Sequence, residues 1–208
     1  MTERRTKRFW NVINKRQAGL TVILEDVHDA HNISAVLRTC DAVGIQEVYV
    51  IFTDNVRYCK VYTPQNPLGK RTSGNALKWL TIHYFNNTAE CFAAVRERYD
   101  HIYCTHLSKS AKSLYQLDLT QSTALVFGSE RDGISKEALA LSDGNFLVPQ
   151  VGLTQSLNIS VACAISLYEA YRQRNNAQMY NTDQPSYSEN DRQNLFNEWK
   201  ERSENKEK

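Results

Sequence analysis

The sequence contains no apolar run of the roughly eighteen residues that a membrane-spanning helix requires. Its basic amino terminus lacks the apolar segment of a secretory signal. The five cysteines form no C-x-x-C pair, and most of them fall within apolar periods, as small buried side chains do. We therefore expect a reduced, cytoplasmic protein without a structural zinc ion.

The motifs of several enzyme classes are also missing. No G-x-G-x-x-G follows a predicted strand, and Gly69-Lys70-Arg71-Thr72 lacks the upstream glycine of a P-loop. H-E-x-x-H, G-x-S-x-G and clustered acidic metal ligands do not occur. These absences disfavour hydride transfer, nucleotide hydrolysis, zinc-dependent hydrolysis and serine acyl transfer, and we expect no bound metal.

The net charge is small but unevenly distributed along the chain. The 208 residues carry a net charge of +2, whereas the first twenty carry six basic residues against Glu3 alone, so the remainder is net negative. A basic segment on a near-neutral body predicts a polyanionic partner, most simply nucleic acid, although a solvated terminal helix would show the same charge. The six basic residues are Arg4, Arg5, Lys7, Arg8, Lys15 and Arg16.

Strand and helix signals alternate along the chain, which predicts an α/β fold with a largely parallel sheet flanked by helices. The predicted strands are Leu20–Val27, Glu47–Phe52, Leu80–Phe85, His101–Leu107, Thr123–Gly128 and Asn145–Val148. The predicted helices are Asn32–Val43, Thr88–Tyr99, Ser135–Leu141, Ser156–Arg174 and the amphipathic Asn190–Arg202. We predict a basic extension over residues 1–19, one domain over 20–175, and a polar linker with a terminal helix over 176–208.

The most informative segment follows the last predicted strand. The strand ends in a proline and a glycine, and a polar Thr-Gln-Ser loop then leads into a helix that Ser156 is predicted to cap. A polar loop and first turn in front of a core helix favour a ligand site over simple capping. The predicted buried stripe of the helix consists of Leu157, Val161, Ile165 and Tyr168.

Two other predicted strand-to-helix connections carry polar groups, and ligands gather at such strand ends in open parallel sheets. Asn32 is predicted to cap the first of these helices, on which Arg38 lies roughly 140° from the centre of the apolar stripe. In the second connection, Gly128 and Gly133 flank the carboxylate of Glu130. The two glycines permit positive φ and a close approach of the backbone to a ligand.

These three segments, in this order, resemble the three motifs of the SPOUT-class RNA 2′-O-methyltransferases over nearly the whole chain. They span residues 32–44, 126–130 and 148–161. Thr72-Ser73-Gly74 and the short basic and amphipathic termini are similar to the branch that methylates the ribose 2′-hydroxyl of guanosine 18 in the D-loop of tRNA. The resemblance implies a homodimer, a deep trefoil knot in the carboxyl-terminal third, and S-adenosylmethionine bound in that knot.

The resemblance also implies roles for individual residues. S-adenosylmethionine would be held, largely through backbone groups, by Thr105, Gly128, Glu130, Val148 and Leu157. Arg38 would carry the central catalytic role, with Asn32, Ser156 and Asn158 positioning it and the cofactor. The six basic residues of the amino-terminal segment would contact tRNA phosphates, braced by the amphipathic tail.

Two mechanisms for Arg38 remain open at this point. Arginine is effectively always protonated, so a role as general base requires help from a substrate phosphate. Alternatively, Arg38 stays charged and stabilises the alkoxide that develops on the ribose. The acid Glu130 has either a supporting role toward the cofactor or the ordinary role of an acid at a helix start.

Three other functions compete with tRNA methylation. A ribosomal RNA methyltransferase, including the kind that confers antibiotic resistance, typically carries a separate RNA-recognition domain before the first motif. Only nineteen residues precede the first predicted strand here, which favours tRNA. The others are a non-catalytic RNA-binding module on the same scaffold and an α/β protein that binds a small metabolite.

Overall fold

The computed structural model describes residues 1–53, 76–129, 131–154 and 156–204. Within them, seven strands form one sheet in the order β3-β2-β1-β6-β4-β7-β5, and each pairing between them is parallel. The strands are β1 Leu20–Glu25, β2 Glu47–Ile51, β3 Thr81–Phe85, β4 His101–Thr105, β5 Lys112–Ser113, β6 Thr123–Phe127 and β7 Gly144–Leu147. The predicted parallel α/β architecture is confirmed. The two-residue β5 was not predicted, because it is too short to show any periodicity.

Six α-helices accompany the sheet in the described part of the chain. They are α1 Glu3–Ile13, α2 Ala30–Ala42, α3 Thr88–Arg96, α4 Lys136–Leu141, α5 Ile159–Asn176 and α6 Glu189–Glu204. Two short 3-10 helices span Ala76–Lys78 and Leu114–Gln116.

The central strands are buried on both faces, which explains why they are continuous apolar runs rather than alternating ones. All residues of β1, β2 and β6 are buried. Val22 and Leu24 of β1 contribute to a core shared with α2 and α5. Ile23, which points to the opposite face, joins a second core with α3 and α4. The sheet therefore forms the middle of three layers.

The structure corrects both predicted helix caps. Helix α2 is capped by Asp29, whose Oδ1 accepts hydrogen bonds from the N–H groups of His31 at 2.7 Å and Asn32 at 3.1 Å. Helix α5 is capped by Asn158 and not by Ser156. Aspartate and asparagine are both strong caps, so several candidates close together in sequence leave the choice to tertiary packing. Asn32 consequently lies in the first turn of α2.

The predicted buried stripe of α5 is wrong at two of its four residues, since Ile165 packs against the core but Val161 and Tyr168 do not. Val161 and Tyr168 are 45% and 54% exposed. The buried face instead consists of Ile159, Cys163, Ser166, Leu167, Glu169, Ala170 and Arg174. Apolar residues occur on two sides of this helix, so a helical period fits more than one face and periodicity alone does not select the inner one.

The two terminal helices pack against each other. Phe9 and Ile13 of α1 form a small apolar cluster with Leu195 and Trp199 of α6. The indole N–H of Trp199 donates to the carbonyl of Trp79 at 3.1 Å, which fixes α6 against the segment before β3. The amino-terminal segment is therefore a helix with one buried face, and the amphipathic tail braces it.

Arg16 contradicts its predicted role as a phosphate contact. Its side chain is fully buried, and its Nη2 donates to Oδ1 of Asp41 at 2.6 Å while its Nη1 donates to the carbonyl of Ile45 at 2.7 Å. The sequence predicted an RNA contact because Arg16 is basic and belongs to a segment rich in cationic residues. In the fold it joins the end of α1 to α2 and the start of β2.

The guanidinium of Arg174 is also buried, and its hydrogen-bond partners among the described residues are carbonyl and amide oxygens. Arg174, at the end of α5, donates to the carbonyls of Leu119, Gly19 and Gln121 and to Oε1 of Gln17. Burial lowers the pKa of Arg174 to about 10. Its hydrogen bonds connect α5 to the amino-terminal ends of β1 and β6.

The described cysteines are thiols inside the two cores. Cys40 and Cys163 belong to the core under α2 and α5, and Cys91 and Cys104 to the core under α3 and α4. Burial raises the pKa of the Cys91 and Cys104 thiols to about 12. The thiols are accordingly neutral at physiological pH.

Candidate active site

A cavity of about 970 Å³ lies at the carboxyl ends of β4, β6 and β7. Four residues predicted to hold a cofactor, Thr105, Gly128, Val148 and Leu157, line it together. Glu130, the fifth, lies outside the described residues. Pro149, Gln150, Gly152 and Thr154 of the loop predicted to hold a ligand also line the cavity, whereas His106 and Leu107 were missed by sequence reasoning.

The turn that follows β6 requires a glycine at position 128. A Cβ atom on Gly128 would overlap the carbonyl group of Gly133 and lie 2.6 Å from the nitrogen of Ile134. Gly133 has a φ of +69°, and its N–H donates to the carbonyl of Ser129 at 3.0 Å. The close approach of the neighbouring loop at Gly133 therefore requires a glycine at position 128, and the predicted approach of its backbone to a ligand stays a prediction.

A buried acid supports this turn from below. Glu25, at the end of β1, is 1% exposed. Its carboxylate accepts hydrogen bonds from the N–H of Ser135 at 2.9 Å, the hydroxyl of Ser135 at 2.7 Å and the hydroxyl of Thr88 at 3.2 Å. Glu25 therefore links the starts of α3 and α4 to the sheet. The sequence did not predict this role, because Glu25 stands there only as an acid at the end of an apolar strand.

The described lining of this cavity carries no formal charge. It contains no arginine, lysine, aspartate or glutamate, and His106 is its one ionisable imidazole. Aromatic surface comes from Phe127 and Phe146, and polar groups come from the backbone and from side chains such as Ser156 and Asn158. A bare phosphate would find no cation here, whereas a cationic or zwitterionic ligand would meet no like charge.

Asn158 connects the cavity to α2. Its Oδ1 accepts from the N–H of Ser160 at 2.9 Å and from the Ser160 hydroxyl at 2.6 Å, while its Nδ2 donates to Oδ1 of Asn32 at 3.1 Å. The cap occupies the amide oxygen, so the amide nitrogen faces Asn32. The structure thus brings Ser156, Asn158 and Asn32 to one place, as predicted for three of the four catalytic candidates.

Arg38 is not brought there within one chain. It lies on α2 six residues after Asn32, which is roughly 240° around the helix. It is exposed, and it is not among the residues that line the cavity.

The other predicted RNA-binding residues lie at the surface of the amino-terminal segment. Arg4, Lys7, Arg8 and Lys15 are exposed, and Arg5 is half-buried. Lys7 forms an ion pair of 2.7 Å with Glu3 one turn earlier. In the described ranges no three ionisable side chains converge as metal ligands, and no helix there is both long and apolar enough to cross a bilayer.

Comparison with known proteins identifies a methyltransferase family. Residues 19–168 match the SpoU rRNA methylase family. A tRNA (guanosine(18)-2′-O)-methyltransferase of Thermus thermophilus is 40% identical over 203 residues, which cover 95% of this chain and 96% of that protein. The crystal structure of the Aquifex aeolicus TrmH/SpoU tRNA modifying enzyme has a TM-score of 0.83 at 35% identity and is covered over 95% of both chains.

A less similar structure was solved with the cofactor bound. The SpoU methyltransferase AviRb from Streptomyces viridochromogenes, solved in complex with AdoMet, has a TM-score of 0.65 at 27% identity over 77% of this chain and 62% of that one. These matches confirm the resemblance drawn from the three motifs. The chain belongs to the SpoU rRNA methylase family.

Proposed function

We propose that the protein transfers a methyl group from S-adenosylmethionine to the ribose 2′-hydroxyl of guanosine 18 in the D-loop of tRNA. Relatives named for this reaction align with nearly the whole chain. The observation that carries the proposal is the hydrogen bond between Asn158 and Asn32, which joins an uncharged cavity to the helix of Arg38. Since tRNA is the substrate, the protein would act in the cytoplasm.

The uncharged cavity fits S-adenosylmethionine in size and charge. Its volume lies within the range of about 300–1,000 Å³ that is typical of small-molecule sites. Thr105, Gly128, Val148 and Leu157 would hold the cofactor largely through backbone groups. The hydroxyl of Thr105 donates to the carbonyl of Val126 at 3.0 Å, so this side chain is already engaged within the sheet.

S-adenosylmethionine supplies a methyl group on a positively charged sulfonium. Transfer would form a bond between the ribose 2′-oxygen and the methyl carbon, break the bond from that carbon to sulfur so that S-adenosylhomocysteine leaves, and release the hydroxyl proton to solvent. Arginine is effectively always protonated in proteins, so we assign Arg38 the charged role rather than that of a general base. Its guanidinium would stabilise the negative charge that develops on the 2′-oxygen, while Ser156 and Asn158 position the reacting groups.

We further propose a homodimer formed through the outward face of α5. Val161, Tyr168 and Tyr171 are exposed there, and the rings of the two tyrosines lie 6.0 Å apart. Such an apolar face on a helix whose other side packs on α2 is suited to a second copy of the chain. Because Arg38 lies outside its own chain's cavity, we propose that each active site is completed between two protomers. The trefoil knot stays a prediction from the resemblance.

The decisive experiment is the transfer of labelled methyl to unmodified tRNA transcripts, with the product nucleotide mapped by mass spectrometry. Paired transcripts carry guanosine or 2′-deoxyguanosine at position 18. We expect 2′-O-methylguanosine at that position and no product from the deoxy transcript. Transfer to ribosomal RNA instead of tRNA would establish the competing substrate class, and no transfer to either would overturn the enzymatic proposal.

A further inference from the structure

A second cavity, of about 660 Å³, lies between α1, α6 and the segment before β3. Its charge differs from that of the methyl-transfer cavity, since five cationic side chains line it against the single carboxylate of Asp41. The cationic residues are Arg4, Arg5, Arg8, Arg16 and Lys78. This cavity therefore suits an anionic ligand, which the uncharged cavity does not.

Aromatic rings form the rest of the wall. The ring centroid of Phe9 lies 5.3 Å from that of Trp79 and 5.5 Å from that of Trp199, with edge-to-face geometry. Phe9 and Trp199 are buried, whereas Trp79 is half-buried, and the ammonium of Lys78 lies 5.1 Å from the centroid of its ring. Cations beside a half-buried indole match a nucleotide, which combines a phosphate with a flat base.

Arg16 adds a buried positive charge to the wall of this cavity. Its side chain is fully buried, with the guanidinium carbon 5.1 Å from the Trp199 ring centroid. Both terminal nitrogens are hydrogen-bonded within the chain, and Nε is itself buried. Arg16 therefore contributes its charge to the cavity, and the exposed arginines of α1 are left to contact a ligand.

We propose that this cavity binds one unstacked nucleotide of the RNA substrate, with the base against Trp79 and its phosphate among the arginines of α1. The inference rests on the proposed function, because it assigns the ligand to the same RNA. Three arginines of α1, Arg4, Arg5 and Arg8, line the cavity close together. Neighbouring cations match successive phosphates of a chain rather than a free mononucleotide.

Substitutions at two neighbouring residues of α1 distinguish binding in the cavity from binding to a basic helix surface. Arg8 lines the cavity, while Lys7 is exposed, is paired with Glu3 and does not line it. We expect Arg8→Ala to weaken binding of unmodified tRNA about tenfold and Lys7→Ala to weaken it less than about twofold, measured by filter binding at fixed salt. Equal effects of the two substitutions would show a diffuse basic surface and overturn the proposal.

Stacking is tested at Trp79 with short labelled RNAs. We expect a single-stranded tetraribonucleotide to bind with higher affinity than the same four nucleotides base-paired in the stem of a hairpin. A paired base is stacked in the duplex and cannot lie on the indole. Trp79→Leu should weaken the single strand about tenfold, and Trp79→Phe should retain most of the affinity. Thermal unfolding of each variant checks that α6 is still docked. Equal affinity for single strand and duplex, or competition by guanosine monophosphate at the same concentration as the tetranucleotide, would overturn the proposal.

The two proposals fail in different ways. Arg8→Ala should raise the KM for tRNA while leaving S-adenosylmethionine binding unchanged, because Arg8 does not line the methyl-transfer cavity. If the unsubstituted protein methylates guanosine 18 and both α1 variants behave alike, the nucleotide cavity alone is refuted. If the unsubstituted protein transfers no methyl group to tRNA, the proposed function itself fails.

Discussion

The side-chain amide of Asn158 donates to the side-chain oxygen of Asn32 at 3.1 Å, across a sequence separation of 126 residues. The same amide caps α5 through its oxygen, which accepts from Ser160. One side chain thus begins a helix, lines the uncharged cavity and holds the start of α2. Its two functions use different atoms, so they can be separated by substitution.

The change Asn158→Asp should separate stability from catalysis. The carboxylate keeps an oxygen to cap α5 but loses the N–H that reaches Asn32, so we expect an unchanged melting temperature and a loss of methyl transfer of about a hundredfold. Asn158→Ala should lose both, with about 1 kcal/mol of unfolding free energy. Circular dichroism and tRNA methylation measure the two effects.

Asn87 offers a matched control, since it caps α3 by accepting from the N–H of Glu90 at 2.8 Å, away from the uncharged cavity. Asn87→Ala should cost about the same stability and leave activity intact. Full activity in Asn158→Asp would show that the contact with Asn32 is dispensable.

Arg38→Ala should abolish methyl transfer while S-adenosylmethionine still binds, because the residue does not line its own chain's cavity. Arg38→Lys should also fail, since a single ammonium does not reproduce the planar set of guanidinium donors. Equilibrium dialysis with labelled cofactor and the tRNA assay measure the two quantities. Retained turnover in Arg38→Ala would refute the assignment.

Mixing two inactive variants tests whether sites are shared between protomers. A protomer with Arg38→Ala keeps its cavity, and one with Asn158→Asp keeps its arginine. After subunit exchange, a mixed dimer should regain activity at one of its two sites if Arg38 serves the partner's cavity. Complete absence of recovery, with exchange verified by mass spectrometry, would place each site within a single chain.

Gly128→Ala should disrupt the uncharged cavity, because the added methyl group would overlap the backbone at Gly133. We expect a loss of at least about 2 kcal/mol in unfolding free energy and no detectable cofactor binding. Gly152 lines the same cavity, but a Cβ there lies no closer than 4.0 Å to its nearest neighbour. Gly152→Ala should therefore leave stability and binding nearly unchanged, as urea titration and calorimetry would show.

Glu169 makes stability depend on acid pH. Hydrogen bonds from Arg172, at 2.8 and 2.7 Å, and from Gln173 outweigh burial and hold the pKa of the Glu169 carboxyl below its ordinary value. A depressed carboxyl pKa contributes stability above the ordinary value of 4.5, and that contribution is lost as the pH falls through the lowered pKa.

We expect Glu169→Gln to lower the unfolding free energy by about 1 kcal/mol at pH 7 and by much less near pH 3, measured by urea denaturation. Glu198, paired with Arg202 at 3.1 Å, is 51% exposed and serves as the control. Glu198→Gln should change little at either pH. An equal deficit for Glu169→Gln at both pH values would mean that the carboxylate charge is not what stabilises α5.

The layers of the fold were predictable, because the buried strands stand out as apolar runs between polar connections. The helix starts were not, since Asp29 and Asn32 are both competent caps and only packing chooses between them. Arg16 looked like a surface cation until the fold placed Asp41 beside it from 25 positions away. Burial of a charged side chain depends on partners that sequence distance conceals.

The cavity lining was predicted through family resemblance rather than through local pattern. Val148 and Leu157 look like ordinary core residues, because residues that hold a ligand through the backbone leave no side-chain signature. The inner face of α5 was misassigned for a related reason, since Val161 and Tyr168 are apolar yet exposed. An exposed apolar face resembles a core face when only the sequence of one chain is read.

The cysteines give the molecule two independent reporters of opening. Cys40 and Cys163 lie on one side of the sheet, and Cys91 and Cys104 lie on the other. A thiol-reactive reagent can label each pair only while its own layer lifts from the strands. In a Cys59→Ser background, the labelling rate of each pair would therefore report how often that face of the sheet opens. A rate that falls when RNA is added would show which face RNA binding stabilises.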